Sequence, residues 1–453
     1  MKLAALDLDF GNAVIDGRAE DAACQPRRWL LVGLVCACLA PRIWMAWRLD
    51  TLCNDGVFYI HLAEALERGD LDAGLGQLRL NTYPPILASL HALGLDWQAA
   101  GEMWGVALSS LTVLPLFGWL RRQFNDRLAT VGCLLYAVHP KLVESSPELL
   151  RDPTFWLLWA LSLYASWRAA AQQRLRWYLL AGLCIALAVH TRFEGWTLYL
   201  PLMGWTVCRP IARRAEAGHG GRGYRKIGAG HEGRGYRAAG GCAAAVAVCP
   251  LLLLAINVTW LAGQPHWEWG NFRRLEYVAL WSRATWNALQ GEDENRVVQN
   301  RVVQNRVVQN GVVQNRDELA PAASSQLVAP PAMNVSPSPE PVVSEPPLRM
   351  SIVRTLWLYV NALRRGFGAL LGISWMLGFL CCPRVWLRRD HLILFLVSGC
   401  VAAGAWVHLW YAQATSSRYF LSIVMLALPC AATGCCWACH WLERAANGVL
   451  AAS

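Results

Sequence analysis

The sequence predicts an all-α polytopic membrane protein with about ten transmembrane helices and amphipathic helices in the first exoplasmic loop. Three observations predict it. Hydrophobic residues fill 55% of 453 positions and charged residues only 16%, against about 25% charged in ordinary soluble domains. A soluble chain of this length could not cover its surface with so few charges. Apolar runs approaching the ~20 residues that cross a bilayer recur along the chain. The remaining Lys and Arg gather in alternate loops, the pattern that orients spans. The net charge of +10 then reflects topology, and no nucleic-acid partner is expected.

Taken in order, residues 1–28 form a cytoplasmic N-terminal segment. They carry Asp7, Asp9, Asp16, Glu20 and Asp21 without an apolar stretch, so no cleavable signal peptide is expected there. Spans are expected at 29–47, 99–120, 128–143, 153–168, 177–192, 193–208, 239–262, 366–382, 391–411 and 418–439. A cytoplasmic N-terminus places Arg27 and Arg28, then Arg121, Arg122 and Arg127, then Arg168, Arg174 and Arg176 inside. The cluster Arg209 to Arg237 follows, then Arg384, Arg388 and Arg389. Both termini are therefore expected in the cytoplasm, in an arrangement compatible with a bacterial inner membrane. Arg364 and Arg365 fall outside in this scheme, and an interfacial helix over 353–365 would hold them at the headgroups.

Two segments are low in complexity. Arg-Val-Val-Gln-Asn repeats three times from Arg296 and once more with Gly311 in place of Arg, and 319–348 is rich in Pro, Ala and Ser. A five-residue period suits neither helix nor strand, so 292–348 reads as a disordered exoplasmic linker. An eight-residue Gly-Arg-Tyr segment at 218–225 is nearly copied at 230–237. It resembles an RNA-binding tract superficially, but between two spans it reads as a basic loop near anionic lipid. Sixteen cysteines do not make a disulfide framework, because seven of them, Cys36 and Cys133 for example, lie inside apolar runs. Cys436-Trp437-Ala438-Cys439-His440 fits a haem-attachment pattern but falls at the expected inner end of the last span, where a chance match in a Cys-rich chain is the simpler reading.

Ionisable groups near membrane depth are costly and point to function. Four sets stand out: Asn54-Asp55-Gly56, the stretch Glu148 to Asp152, Arg192-Phe193-Glu194, and Arg418-Tyr419. All fall on the outer face of a topology drawn from the basic loops alone. Each also has a purely structural reading. Asp55 could cap a helix over 56–68, and Asp152 followed by Pro153 has the form of a helix start. Arg192 and Arg418 could snorkel, and Arg192 could pair with Glu194. Tyr83-Pro84-Pro85 could open the next amphipathic helix of the first loop.

In order and spacing these segments, with Tyr83-Pro84-Pro85 and Ser417-Arg418-Tyr419-Phe420-Leu421, resemble the GT-C superfamily of polytopic glycosyltransferases, which includes protein O-mannosyltransferases and aminoarabinose transferases. The resemblance covers most of 29–210 and 391–438. It implies transfer of a sugar from a polyprenyl-phosphate carrier to an acceptor hydroxyl on a protein, lipid or glycan, at the exoplasmic face of the bilayer, with inversion. Asp55 would be the general base. Arg192 and Arg418, with Lys141 and Arg151 behind them, would hold the lipid phosphate, and Glu148, Asp152 and Glu194 would be supporting acids. The chain departs from many members in having Gly56 where a second acid follows the first. The resemblance leaves a divalent cation open, and no ligand set for one stands out.

On this reading 29–262 is the N-terminal transmembrane catalytic module, 263–352 an exoplasmic loop and 353–453 the C-terminal transmembrane helices. The loop opens with Trp267, Trp269 and Phe272, which suit the membrane interface better than the alternative of stacking on a sugar. A transporter or lipid flippase is the rival class. It would place charged or broken helices near the bilayer midplane, often in repeated halves, and neither is seen. A non-catalytic scaffold would tolerate loss of Asp55.

Overall fold

The computed structural model describes residues 28–49, 53–71, 73–74, 81–172, 174–199, 201–202, 204–205, 352–386, 389–412 and 417–450. The N-terminal segment, the expected span 239–262, the Gly-Arg-Tyr repeats, the aromatics at 267–272 and the linker 292–348 lie outside the described residues. Nearly everything described belongs to one unit, Met1–Arg274 with Leu358–Ser453; the other, Leu275–Trp357, is described only from 352 onward.

All regular structure among the described residues is helical. Helix α1 is Arg28–Arg48. Helix α2, Asn54–Glu67, is capped by Cys53, whose Sγ accepts the Gly56 N–H at 3.3 Å. Asp55 is therefore not the cap. It stands in the first turn, where a carboxylate suits the positive helix end, and its oxygens remain available to other partners. Helix α3, Tyr83–Ala92, carries its two prolines in the first turn, where the missing N–H costs nothing.

Helix α4, Trp97–Leu111, is capped by the Asp96 carboxylate. It runs through Thr112, whose hydroxyl donates to the Leu108 carbonyl at 2.8 Å, into α5, Val113–Gln123. Asn125 caps α6, Asp126–Val138, by accepting the Leu128 N–H at 2.9 Å. A short α7, Pro140–Glu144, precedes α8, Asp152–Gln172, and α9, Leu175–Thr191, followed by a 3-10 turn at Phe193–Gly195. Helix α10, Ile352–Cys381, breaks at Gly368, whose φ of 67° is open to glycine. The break separates the part bearing Arg364 and Arg365 from the part matching the expected span 366–382. Then come α11 (Pro383–Trp386), α12 (Arg389–Ala412), a 3-10 turn at Ser417–Phe420 and α13 (Leu421–Leu450).

Three stretches among the described residues are long and apolar enough to cross a membrane: Arg28–Arg48, Trp97–Gln123 and Leu421–Asn447. Leu175–Thr191 and Ile393–Trp406 are apolar but shorter. Length and apolarity alone thus fall short of ten spans: α6 and α9 have only 13 and 17 residues, and α8, with 21, is long enough but less apolar than the three.

Helices α5 and α6 form one antiparallel hairpin and α8 and α9 another, and α13 lies along α6. Trp156, Trp159, Tyr136, Leu116 and Leu120 fill the space between them and are fully buried. Where lipid is as apolar as leucine, close van der Waals fit has to hold helices together. Gly378 of α10 and Gly434 of α13 meet that need, since a Cβ on either would strike the other helix's backbone. At one end of this bundle a second, smaller cluster of Tyr59, Ala63, Tyr83, Leu87, Ala100 and Leu150 seats α2 and α3 on α4 and on the 145–151 loop. That end carries the candidate site.

Candidate functional site

The start of α2, the 145–151 loop, the start of α8, the end of α9 and the 3-10 turn before α13 each contribute a charged residue, and these residues form two sets. In the outer set, Arg418 Nη2 lies 3.4 Å from Asp55 Oδ2, and its Nη1 lies 4.0 Å from Glu148 Oε2. Asp55 is 57% exposed at its side chain and Arg418 32%. One half-covered guanidinium is therefore loosely shared by two carboxylates from segments remote in sequence.

The inner set is tighter. Arg192 Nη1 donates to Asp152 Oδ1, while its Nε and Nη2 reach Glu194 Oε2 and Oε1 at 3.2 and 2.7 Å. Arg192 and Asp152 are buried. Helix α8 begins at Asp152 with Pro153 behind it, as a local helix start requires, yet the carboxylate is spent on Arg192. With its fork engaged, Arg192 orients two carboxylates and fastens the α9 end to the α8 start. The mutual pair with Glu194 expected from sequence is present, extended by Asp152.

Lys141 forms a local pair with Glu144 at 2.6 Å on α7. Arg151 is partly exposed, and among the described residues no carboxylate lies within ion-pair distance of it. Of the four basic candidates, Arg192 is the buried one, and Arg151 is the one without a carboxylate partner among the described residues.

Burial raises the Glu148 carboxyl above its ordinary value; Arg418 opposes the shift, and Glu144 and Asp152 reinforce it. Burial likewise pushes up the Tyr59 hydroxyl. Tyr59 meets Tyr83 edge to face, with centroids 5.1 Å apart. The Tyr83 hydroxyl and Asn81 Nδ2 are buried without a hydrogen-bond partner among the described residues.

Sequence reasoning missed Arg42, which holds this end together. It is fully buried within α1. Its Nε reaches the Ser109 and Ser146 hydroxyls at 3.1 Å each, and its Nη1 reaches the Cys38 and Ala137 carbonyls at 2.9 and 3.1 Å. Through Ser146 it fixes the loop that carries Glu148. The available signal was an arginine inside the apolar run 29–47. Gly105 of α4 adds to the fixation, because a Cβ there would run into the Ser146 carbonyl.

Among the described residues no group of three or more His, Cys, Asp or Glu side chains is placed to hold a metal ion. The Cys436–His440 segment continues α13, with Cys436 buried and Cys436 and Cys439 both free thiols.

Comparison with known proteins supports a membrane glycosyltransferase. The matching family model is that of dolichyl-phosphate-mannose-protein mannosyltransferases, over residues 85–217, and it supports a GT-C enzyme of the mannosyltransferase type. The matched segment contains Lys141, Glu148, Arg151, Asp152, Arg192 and Glu194; Asp55 and Arg418 lie outside it. No curated protein matches the chain.

Proposed function

We propose that the protein transfers a sugar from a polyprenyl-phosphate carrier to an acceptor hydroxyl at the exoplasmic face, with inversion. The name of the matched family points to mannose and to a protein acceptor. The acceptor oxygen attacks the anomeric carbon, the bond from that carbon to the phosphate oxygen breaks, and its electron pair leaves with the lipid phosphate. The acceptor proton goes to the Asp55 carboxylate. A hydroxyl is a weak nucleophile, and general-base assistance typically contributes 10²–10⁴-fold. Arg418 and Arg151 hold the phosphate as its charge develops, since guanidinium forks suit phosphate oxygens. Arg192, with Asp152 and Glu194, is a positioning residue beneath them, and Lys141 lies at the edge.

The observation that carries this reading is Arg418 lodged between Asp55 and Glu148, 363 residues along the chain from Asp55. An arriving phosphate competes with both carboxylates for the guanidinium. Once it takes Arg418, the Asp55 carboxylate is released to meet the acceptor hydroxyl. Asp55→Asn keeps the size and removes the base. Transfer from a mannosyl-phosphate lipid should fall about a hundredfold or more with an unchanged melting temperature. A folded variant that transfers as fast as the parent overturns the assignment.

A further inference from the structure

The end of the bundle away from Asp55 carries a second charged assembly that sugar transfer does not use. Along α8, Arg168 is about 24 Å from Asp152 at 1.5 Å per residue. Around it the α5 end, the α8 end and the α9 start bring together Arg122, Arg168 and Arg176. Arg122 and Arg168 share the Tyr164 ring, at 5.2 and 5.9 Å from its centroid. Arg168 and Arg176 share the Trp177 ring, at 4.5 and 5.4 Å. Arg122 also lies 5.9 Å from the Trp167 ring and donates to the Tyr164 hydroxyl at 2.7 Å.

Aromatic faces stabilise each cation but neutralise none of them. Neighbouring Arg121 is paired with Asp126, whereas among the described residues no carboxylate reaches Arg122, Arg168 or Arg176. Arg168 Nε is buried with no acceptor. Three like charges held on shared rings repel one another unless an anion joins them. Helix C-terminal dipoles favour positive charge at the α5 and α8 ends, but they leave that buried donor unsatisfied.

Beside the arginines Trp119, Leu163, Trp167, Ile393 and Val397 enclose an apolar void of about 10 Å³, room for one water and not for a hydrocarbon chain. What this end offers a ligand is therefore charge and donors. Arg168 lies about 24 Å along α8 from Asp152, a separation that suits the opposite headgroup layer of a bilayer whose core is ~30 Å thick. We propose that this end of the bundle binds the headgroup of one anionic phospholipid, its phosphate on Arg122, Arg168 and Arg176. Charge selects the headgroup.

Native mass spectrometry of the detergent-purified full chain tests this with phosphatidylglycerol, phosphatidylcholine and inorganic phosphate as separate probes. Phosphatidylglycerol should be retained about tenfold more strongly than phosphatidylcholine. The double variant Arg122→Gln/Arg168→Gln should reduce its retention to the phosphatidylcholine level, while Arg68→Gln, at the far end of α2, should leave it unchanged. Equal retention of the two lipids, or full retention by the folded double variant, overturns the proposal. So does a site that inorganic phosphate fills equally well. If the double variant fails to fold, Arg176→Gln, at an exposed position, replaces it. It should cost about threefold, and no loss is again fatal. None of these readings depends on sugar transfer.

Discussion

Arg192 and Arg418 carry the same charge, and their surroundings give them different work. Arg192 is buried with its donors on Asp152 and Glu194, and removing one partner of such a pair typically costs about 3–5 kcal/mol because the other charges stay buried. Arg192→Gln should therefore lower the melting temperature and the yield of folded protein, as thermal unfolding in detergent would show. A stable variant that loses only donor affinity would instead make Arg192 a phosphate ligand. Glu148 raises a question of pH. Its raised carboxyl gains a proton at higher pH than an unperturbed Glu, which titrates near 4.3. As pH falls, Glu148 loses its charge early and its hold on Arg418 goes with it. Because the arriving phosphate competes with Glu148 for Arg418, the KM for the lipid donor should fall as Glu148 gains its proton, and that pH dependence should disappear in Glu148→Gln. A pH dependence unchanged by the substitution would detach Glu148 from the reaction. The sequence showed which ionisable residues were too costly to be idle, because charge near lipid is rare. It could not show which arginine was already satisfied, since that depends on where α8 and α9 meet.

Helix boundaries were legible where local chemistry decides them and obscure where a distant segment does. The prolines opening α3 and the Asp152-Pro153 start of α8 followed from backbone rules alone. The Cys53 cap did not, because a thiol is a weak acceptor and Asp55 next to it looked the better candidate. The Gly368 break separates an arginine-bearing segment from an apolar one. The fit of α4 against the 145–151 loop was invisible in sequence, since Gly105 looks like any glycine in an apolar run. In an exposed helix Gly→Ala stabilises by about 1 kcal/mol. At Gly105 the new methyl would strike the Ser146 carbonyl, and overpacking costs about 1–3 kcal/mol. Gly105→Ala should accordingly destabilise, and by shifting Ser146 and Glu148 it should raise the KM for the lipid donor. Thermal unfolding and donor titration read the two effects separately, and a stabilised variant with unchanged KM would mean that the loop yields freely.

At the scale of the whole molecule, the fold separates two kinds of charge along α8. Its 21 residues span about 31 Å at 1.5 Å per residue, close to the ~30 Å of a bilayer's hydrocarbon core. Asp152 and the carboxylates near it occupy one end, and Arg168 with its neighbouring arginines occupies the other. The rule that basic loops stay in the cytoplasm then assigns the arginine end to the inside and Asp55 to the outside, where a donor presented in the outer leaflet could reach it. Orientation of the bundle and placement of the chemistry are thus one hypothesis, testable without any activity. In a background depleted of native cysteines, Arg68→Cys on the exposed end of α2 and Arg176→Cys at the start of α9 place single thiols at opposite ends. A membrane-impermeant maleimide added to intact cells should label position 68 at once and position 176 only after the membrane is opened. The reverse order would turn the bundle over and put the proposed base in the cytoplasm, where a lipid-phosphate donor in the outer leaflet could not meet it. Labelling of both positions in intact cells would mean that α8 does not cross the bilayer.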